Sequence, residues 1–282
     1  FAIPAVGDIT KVLMAMSGES KGVKELFSYR FPKDSSIGNH SIKNLIMTAL
    51  LDMKGNFAHS LPILCDLLDV KGKLLPLTED NVVLMGEMED GKIIEGEHNI
   101  TKSPKKIKKV FYKNEPTISE DLLDEIENAD LILLSMGSLF TSVIPNLLSK
   151  SIKKAIDESN AKIVYCCNLF TQPGETDDFK VSHHIKTLNK YLGKRKVNYV
   201  IANSGKIDNE LANKYATEEQ KDPIKIDKLQ TEKLGAELIT DDLVYIKMHS
   251  EEHKNVFRHN YVKLGFIINT IALDYTSMLK NK

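Results

Sequence analysis

Two stretches of this chain place small, hydroxyl and amide side chains directly behind apolar runs. The first is Gly137-Ser138-Leu139-Phe140-Thr141-Ser142, after Leu131-Ile132-Leu133-Leu134. The second is Asn168-Leu169-Phe170-Thr171-Gln172-Pro173-Gly174-Glu175-Thr176, after Ile163-Val164-Tyr165-Cys166-Cys167. In the first, small residues let the backbone approach a ligand closely, and helix-start N–H groups with hydroxyls suit an oxyanion. It lacks the Gly-Lys-Ser/Thr ending of a Walker loop, and no Gly-x-Ser-x-Gly elbow makes Ser138 a nucleophile. In the second, Asn168, Thr171, Gln172 and Thr176 are neutral donors and acceptors suited to a base or sugar. Pro173-Gly174 stiffens a turn, and Glu175 can accept from a hydroxyl or, if buried, work as a base. Plainer roles compete: a tight strand-to-helix turn for the first loop, and capping of the next helix by Glu175 and Thr176.

Other reactive types are less telling. Arg258-His259 precede the last helical pattern, and arginine forks onto phosphate better than lysine; an ordinary surface arginine is the alternative. His183 and His184 are adjacent on a helix, so they cannot share one metal. Arg30 and His40 sit in polar loops around Tyr29-Arg30-Phe31 and Gly38-Asn39-His40-Ser41, with Asn44 at the next helix start. Either could meet an anion or fold back on its own loop. Cys65, Cys166 and Cys167 have no Cys-x-x-Cys spacing and read as buried thiols of a reducing compartment. Lysines 102, 105, 106, 108, 109 and 113 could form a phosphate or nucleic-acid patch. No aromatic platform accompanies them, so a solvated edge strand or loop, where lysines block edge pairing, is favoured.

The elements that position these residues follow from pattern. The chain has 282 residues, 42% of them hydrophobic, and a formal net charge of −1. That supports one large α/β domain or two small ones, and gives no global pull toward nucleic acid. No apolar run is long enough to span a membrane, and no signal peptide is visible. Asp8 reads as an N-cap, and helical patterns follow at 19–29, 43–54 and 58–69. Asp90-Gly91 between β-prone runs predicts a hairpin within 82–100. Ser119 begins a helix with acidic residues in its first turn. Then come strand 131–135, helix 146–158, strand 163–168, a helix over 178–191 stopped by Gly193, strand 197–202, helix 208–216, strands 223–227 and 236–244, and helix 260–279. Strands alternating with helices predict a Rossmann-like three-layer α/β/α fold with a mostly parallel sheet. A single domain over 1–282 is expected, with 82–113 as a β-hairpin and basic insertion. In such sheets ligands bind at the carboxyl ends of the strands. A doubly wound domain is expected to open on a strand, which predicts a segment before Phe1.

Taken in order, several strings resemble the gluconeogenesis factor family (YvcK-like), related to 2-phospho-L-lactate transferase (CofD-like). They are Gly7-Asp8-Ile9, Leu26-Phe27-x-Tyr29-Arg30-Phe31, His40-Ser41-x-x-Asn44-Leu45, Gly137 to Ser142 followed by Pro145-Asn146-Leu147-Leu148, Cys167-Asn168-Leu169-x-Thr171-Gln172-Pro173-Gly174-Glu175-Thr176, and Arg258-His259. The resemblance implies a glycine-rich phosphate loop upstream of Phe1, and glycines where this chain has Asn39 and Lys43. It implies UDP-N-acetylglucosamine as ligand and an influence on carbon metabolism and cell shape. It matches Tyr215 and Arg258 to residues implicated in nucleotide-sugar binding.

The leading expectation is a cytoplasmic nucleotide-sugar-binding regulator, possible as a homo-dimer, with Gly137, Ser138, Thr141, Asn168, Thr171, Gln172, Gly174, Glu175, Tyr215 and Arg258 as ligand-binding candidates. The alternative is a transferase of phosphorus-containing groups using Mg²⁺ and a nucleotide donor, with Asp8 as the visible carboxylate. A dinucleotide-dependent oxidoreductase is a distant third, since no Gly-x-Gly-x-x-Gly is present.

Overall fold

The computed structural model describes residues 6–18, 21–38, 40–249 and 254–280. The chain packs as two compact units, 1–79 and 80–282. The first is helical: α1 (Val6–Met16), α2 (Lys21–Ser28), α3 (Ile42–Lys54) and α4 (Phe57–Leu67). Leu13, Phe27, Met47, Phe57, Leu61 and Leu64 form its core. Asn56 caps α4 by accepting from the His59 N–H at 2.9 Å. Asp8 falls within the first turn of α1 and does not precede it, because helical backbone already begins at Val6. Asn39 and residues 19–20 lie outside the described residues.

The second unit carries the sheets. β1 (Leu84–Met88) and β2 (Ile93–Glu95) form the hairpin foreseen at Asp90-Gly91. Gly91 adopts φ +82°, a region where a side chain would be strained. After the short helix α5 (Glu97–Thr101), β3 (Ile107–Tyr112) adds to the other side of β1 as an edge strand. Its lysines face acidic neighbours: Lys108 and Lys109 both reach Glu87, at 2.6 and 3.0 Å, and Lys113 reaches Glu95 at 3.2 Å. The basic stretch thus runs from a loop into an edge strand, with Lys106, Lys108, Lys109 and Lys113 each paired to a carboxylate.

The main sheet is parallel, in the order β4 (Leu131–Leu134), β5 (Lys162–Cys166), β6 (Tyr199–Asn203), β7 (Glu237–Asp241). α6 (Glu120–Glu127) precedes it, capped by Ser119 as read from sequence. Every β5 residue from Ile163 to Cys166 is almost fully buried, as a strand covered on both faces requires. Alternation explains the layers. Val164 and Cys166 pack with Ile201, Leu264 and Ile271, the last two from the C-terminal helix α11 (Tyr261–Lys280). Tyr165 points the other way, to His184 of α8 (Val181–Tyr191). The result is the α/β architecture expected, a parallel sheet between helices with a small antiparallel sheet beside it.

Boundaries differ at informative places. The helix expected at 146–158 starts only at Lys150, as α7 (Lys150–Glu158), capped by Ser149. Before it run a π-helical turn (Leu139–Val143) and a 3-10 turn (Ile144–Leu147), because Pro145 cannot donate to a continuous ladder. α8 starts at Val181 rather than near 178, where Asp178 holds a positive φ. Gly193, two residues past its end, adopts φ +70° and stops it. The segment 223–227 forms only isolated bridges, Phe170 to Pro223 and Lys180 to Lys225, and no strand. α9 (Asn209–Glu218) and the short α10 (Lys228–Glu232) join β6 to β7. The expected strand 236–244 is two elements: β7, then β8 (Val244–His249), which pairs antiparallel with β9 (Lys254–His259).

Candidate functional site

The two polar loops meet at the carboxyl ends of β4 and β5. Glu175, 4% exposed, spans them. Its Oε2 accepts from the Ser138 hydroxyl and from the Phe140 N–H at 3.2 Å, and its Oε1 accepts from the Thr141 hydroxyl at 3.2 Å. Ser138 Oγ also lies 2.6 Å from Thr141 Oγ1. These are the helix-start donors that the sequence suggested for a bound oxyanion. The protein's own carboxylate occupies them, which a buried charge needs. Glu175 thus caps the turn after β4, 35 residues upstream of it, while the N-cap of the following helix α8 is Lys180 and not Glu175 or Thr176. Thr176, also buried, accepts from the Gln172 N–H at 2.8 Å and closes its own loop. Gly174 sits at φ +79°, where an added Cβ would come 2.9 Å from the Ser103 carbonyl oxygen.

Beside this clamp opens a cavity of about 470 Å³. Ser138, Asn168, Thr171, Gln172, Tyr215 and Arg258 line it, six of the residues read from sequence. Gly137, Thr141, Gly174 and Glu175 are not in its wall; they hold the loops that form it. Asn168 donates to the Gly137 carbonyl at 2.9 Å and so ties the second loop to the first. Thr171 accepts from the Asp222 N–H at 3.0 Å. Asp8 belongs to the first, helical unit.

Phe170, Phe257, Glu219 and Lys221 of the wall carry no signal in sequence, and they surround the candidates Tyr215 and Arg258. Phe170, Tyr215 and Phe257 form an aromatic trio with ring centroids 5.0–5.3 Å apart. The Tyr215 hydroxyl accepts from the Phe257 N–H at 3.2 Å, so this ring is anchored from both sides. Arg258 is exposed and donates to its neighbour's carbonyl, Phe257 O, at 3.0 Å. Lys221 is paired with Glu219 at 2.7 Å, and both line the cavity. His259 bonds the Cys167 carbonyl through Nε2 at 3.1 Å; since that oxygen only accepts, Nε2 carries the proton. Burial holds the His259 pKa down, opposed by that bond. Only a contact across 92 residues reveals these neighbours, and the antiparallel β8–β9 pair, which delivers Phe257 and Arg258, escaped the pattern reading.

His183 and His184 part company as their spacing requires. His183 is exposed and accepts from the Lys180 N–H at 3.0 Å. His184 is buried on Tyr165. The thiols of Cys166 and Cys167 are buried, which pushes their pKa values up to about 11 and about 12 and keeps them protonated. Among the described residues no group of three or more His, Cys, Asp or Glu side chains converges to hold a metal ion. Among the described residues of the cavity wall Glu219 is the one carboxylate, and Lys221 pairs with it.

The family described as 2-phospho-L-lactate transferase CofD matches residues 1–244 of this sequence. The chain belongs to the CofD family. Within that family it is similar to the gluconeogenesis factor of Bacillus subtilis, 37% identical over 267 residues that cover 94% of this chain and 82% of that one. The gluconeogenesis factor of Halalkalibacterium halodurans is 36% identical over 264 residues, covering 93% of this chain and 80% of the relative. The crystal structure of protein BH3568 from Bacillus halodurans superposes with a TM-score of 0.86 at 36% identity, covering 94% of this chain and 84% of that one. The CofD-family fold thus extends over nearly the whole chain. No helix among the described residues is long and apolar enough to cross a membrane.

Proposed function

We propose that this CofD-family chain is a cytoplasmic nucleotide-sugar-binding protein, with UDP-N-acetylglucosamine as ligand, that acts as a gluconeogenesis factor regulating carbon metabolism and cell shape. The observation that carries the reading is the make-up of the cavity at the strand ends: Arg258 and Lys221 for a diphosphate, Asn168 and Gln172 for the edges of a base or sugar, and an aromatic floor around Tyr215. The volume falls in the range of small-molecule sites. Because Glu175 fills the helix start after β4, the diphosphate is assigned to the Arg258–Lys221 side. Tyr215 lines the cavity with one face of its ring stacked on Phe170.

The second reading, an Mg²⁺-dependent transferase of phosphorus-containing groups, draws on the description of the family itself. Mg²⁺ is bound through one or two carboxylates together with substrate phosphates. The carboxylate this chain offers in the cavity is Glu219, engaged with Lys221. Incubation of the protein with Mg²⁺ and UDP-N-acetylglucosamine separates the two. Ligand recovered intact after binding supports the regulator; stoichiometric or catalytic release of a phosphorus-containing fragment supports the transferase.

A further inference from the structure

Behind the cavity wall lies a chain of buried polar groups that the binding reading leaves unused. His184 Nδ1 lies 2.9 Å from the Tyr165 hydroxyl. That hydroxyl lies 3.3 Å from Asn168 Oδ1. Asn168 Nδ2 in turn donates to the Gly137 carbonyl at 2.9 Å. Tyr165 and His184 are 0% and 1% exposed, and His184 Nε2 is buried with no partner.

Proton counting sets the direction of the chain. Gly137 O only accepts, so the NH₂ end of Asn168 faces it and Oδ1 faces Tyr165. Tyrosine has one hydroxyl proton. If it goes to Asn168 Oδ1, His184 Nδ1 must donate to the tyrosine oxygen. Nε2 is then a bare lone pair, whereas the other tautomer would bury an N–H with no acceptor. An orphaned buried N–H is rarer than an under-used acceptor. Burial, with the charge of nearby His183 adding, lowers the His184 pKa to about 4, so the ring stays neutral and keeps one tautomer near neutral pH.

We infer that His184 and Tyr165 are positioning residues whose one-directional relay, His184 Nδ1–H to Tyr165 O–H to Asn168 Oδ1, fixes the Asn168 amide and through it the Gly137–Ser138 peptide at the ligand cavity. The peptide is planar, so holding the Gly137 carbonyl sets the direction of the Ser138 N–H. Asn168 and Ser138 both line the cavity, while Tyr165 and His184 do not and reach it through Asn168. The inference rests on the proposed binding role for its consequence, not for its geometry.

The test has a ligand-free part and a ligand part. In protein labelled with ¹⁵N-histidine, long-range ¹H–¹⁵N spectra at neutral pH should show His184 protonated at Nδ1. In Tyr165→Phe the Ser138 amide cross-peak should move. A His184 ring protonated at Nε2, or a Ser138 peak that stays put, would overturn the relay whether or not any ligand binds. With UDP-N-acetylglucosamine, Tyr165→Phe should raise Kd about three- to tenfold in the native background. It should change Kd by less than about twofold in an Asn168→Ala background, since coupled residues are non-additive. Equal effects in both backgrounds, or a lowered Tm with Kd unchanged, would make Tyr165 merely structural. Absence of binding by the unaltered protein would instead count against the nucleotide-sugar reading, with the tautomer and the Ser138 shift still deciding the relay.

Discussion

Glu175 and Ser138, 37 positions apart, share a hydrogen bond that fastens the two polar loops of this chain to each other. The carboxylate is buried and takes three donors, Ser138 Oγ, Thr141 Oγ1 and Phe140 N. Removing it leaves the Phe140 N–H without its acceptor and the Ser138 and Thr141 hydroxyls with only each other. Glu175→Ala should lower stability by about 2–4 kcal/mol, built from bonds to a charged group plus unsatisfied donors. Thr141→Ala, which removes one donor and leaves the carboxylate two, should cost about 1–2 kcal/mol. Urea unfolding checks both; equal and small losses would mean the clamp carries little.

Gly174 predicts a contrast. Gly174 and Gly235 both have positive φ, +79° and +90°. An added Cβ at Gly235 meets nothing within 4 Å, but at Gly174 it meets the Ser103 carbonyl oxygen. Both alanine variants carry backbone strain of about 1 kcal/mol, and Gly174→Ala should lose at least about 1 kcal/mol more from the forced shift of a backbone oxygen. Comparing the two midpoints at equal slope isolates the close approach.

The parallel sheet was legible because its central strands are buried on both faces and read as unbroken apolar runs. Asp90-Gly91 was legible because a two-residue signal sets a turn. The clamp was not: Glu175 followed by Thr176 has the look of a local helix cap, and only tertiary folding brings it under Phe140. The cavity wall was half legible. Asn168, Gln172 and Arg258 stood out by residue type, but Phe170 and Phe257 look like any core aromatics. Lys221 and Glu219 look like surface charges until β9 and the bridge at Pro223 bring their segments together. The reading of a loop followed by a helix from 146 missed the structure between them: a π turn and a 3-10 turn around Pro145 fill Leu139–Leu147, and the regular helix begins only at Lys150.

His184 predicts a pH dependence of stability. Its folded pKa, about 4, lies below the ordinary histidine value of 6.5. The unfolded chain therefore binds a proton that the folded chain refuses between these values. Stability is full above pH 6.5 and is lost as pH falls toward 4. From pH 7 to pH 5 this one group should remove about 2 kcal/mol, with His259 acting in the same direction. Urea midpoints at the two pH values measure it, and His184→Asn should flatten the slope. An unchanged slope in that variant would place the loss elsewhere.

Tyr215 needs two substitutions to be read. Its ring packs on Phe170 and Phe257, and its hydroxyl accepts a backbone bond. Tyr215→Ala should destabilise by about 2–4 kcal/mol through the cavity it leaves. Tyr215→Phe should cost about 1 kcal/mol through the lost hydrogen bond. Loss of ligand in the alanine variant is informative only beside the phenylalanine variant, which keeps the aromatic floor.

Arg258 offers the cleanest probe of the central claim. Its side chain is exposed in the cavity wall and donates to the adjacent Phe257 carbonyl, so truncation should leave folding nearly unchanged. The deciding measurement is calorimetric titration of full-length protein with UDP-N-acetylglucosamine, unaltered and as Arg258→Ala. The account predicts saturable binding to the unaltered protein, weakened by about 1.5–3 kcal/mol in the variant at an unchanged Tm. Binding of equal strength in both would remove Arg258 from the site, and no binding by the unaltered protein would contradict the nucleotide-sugar reading itself.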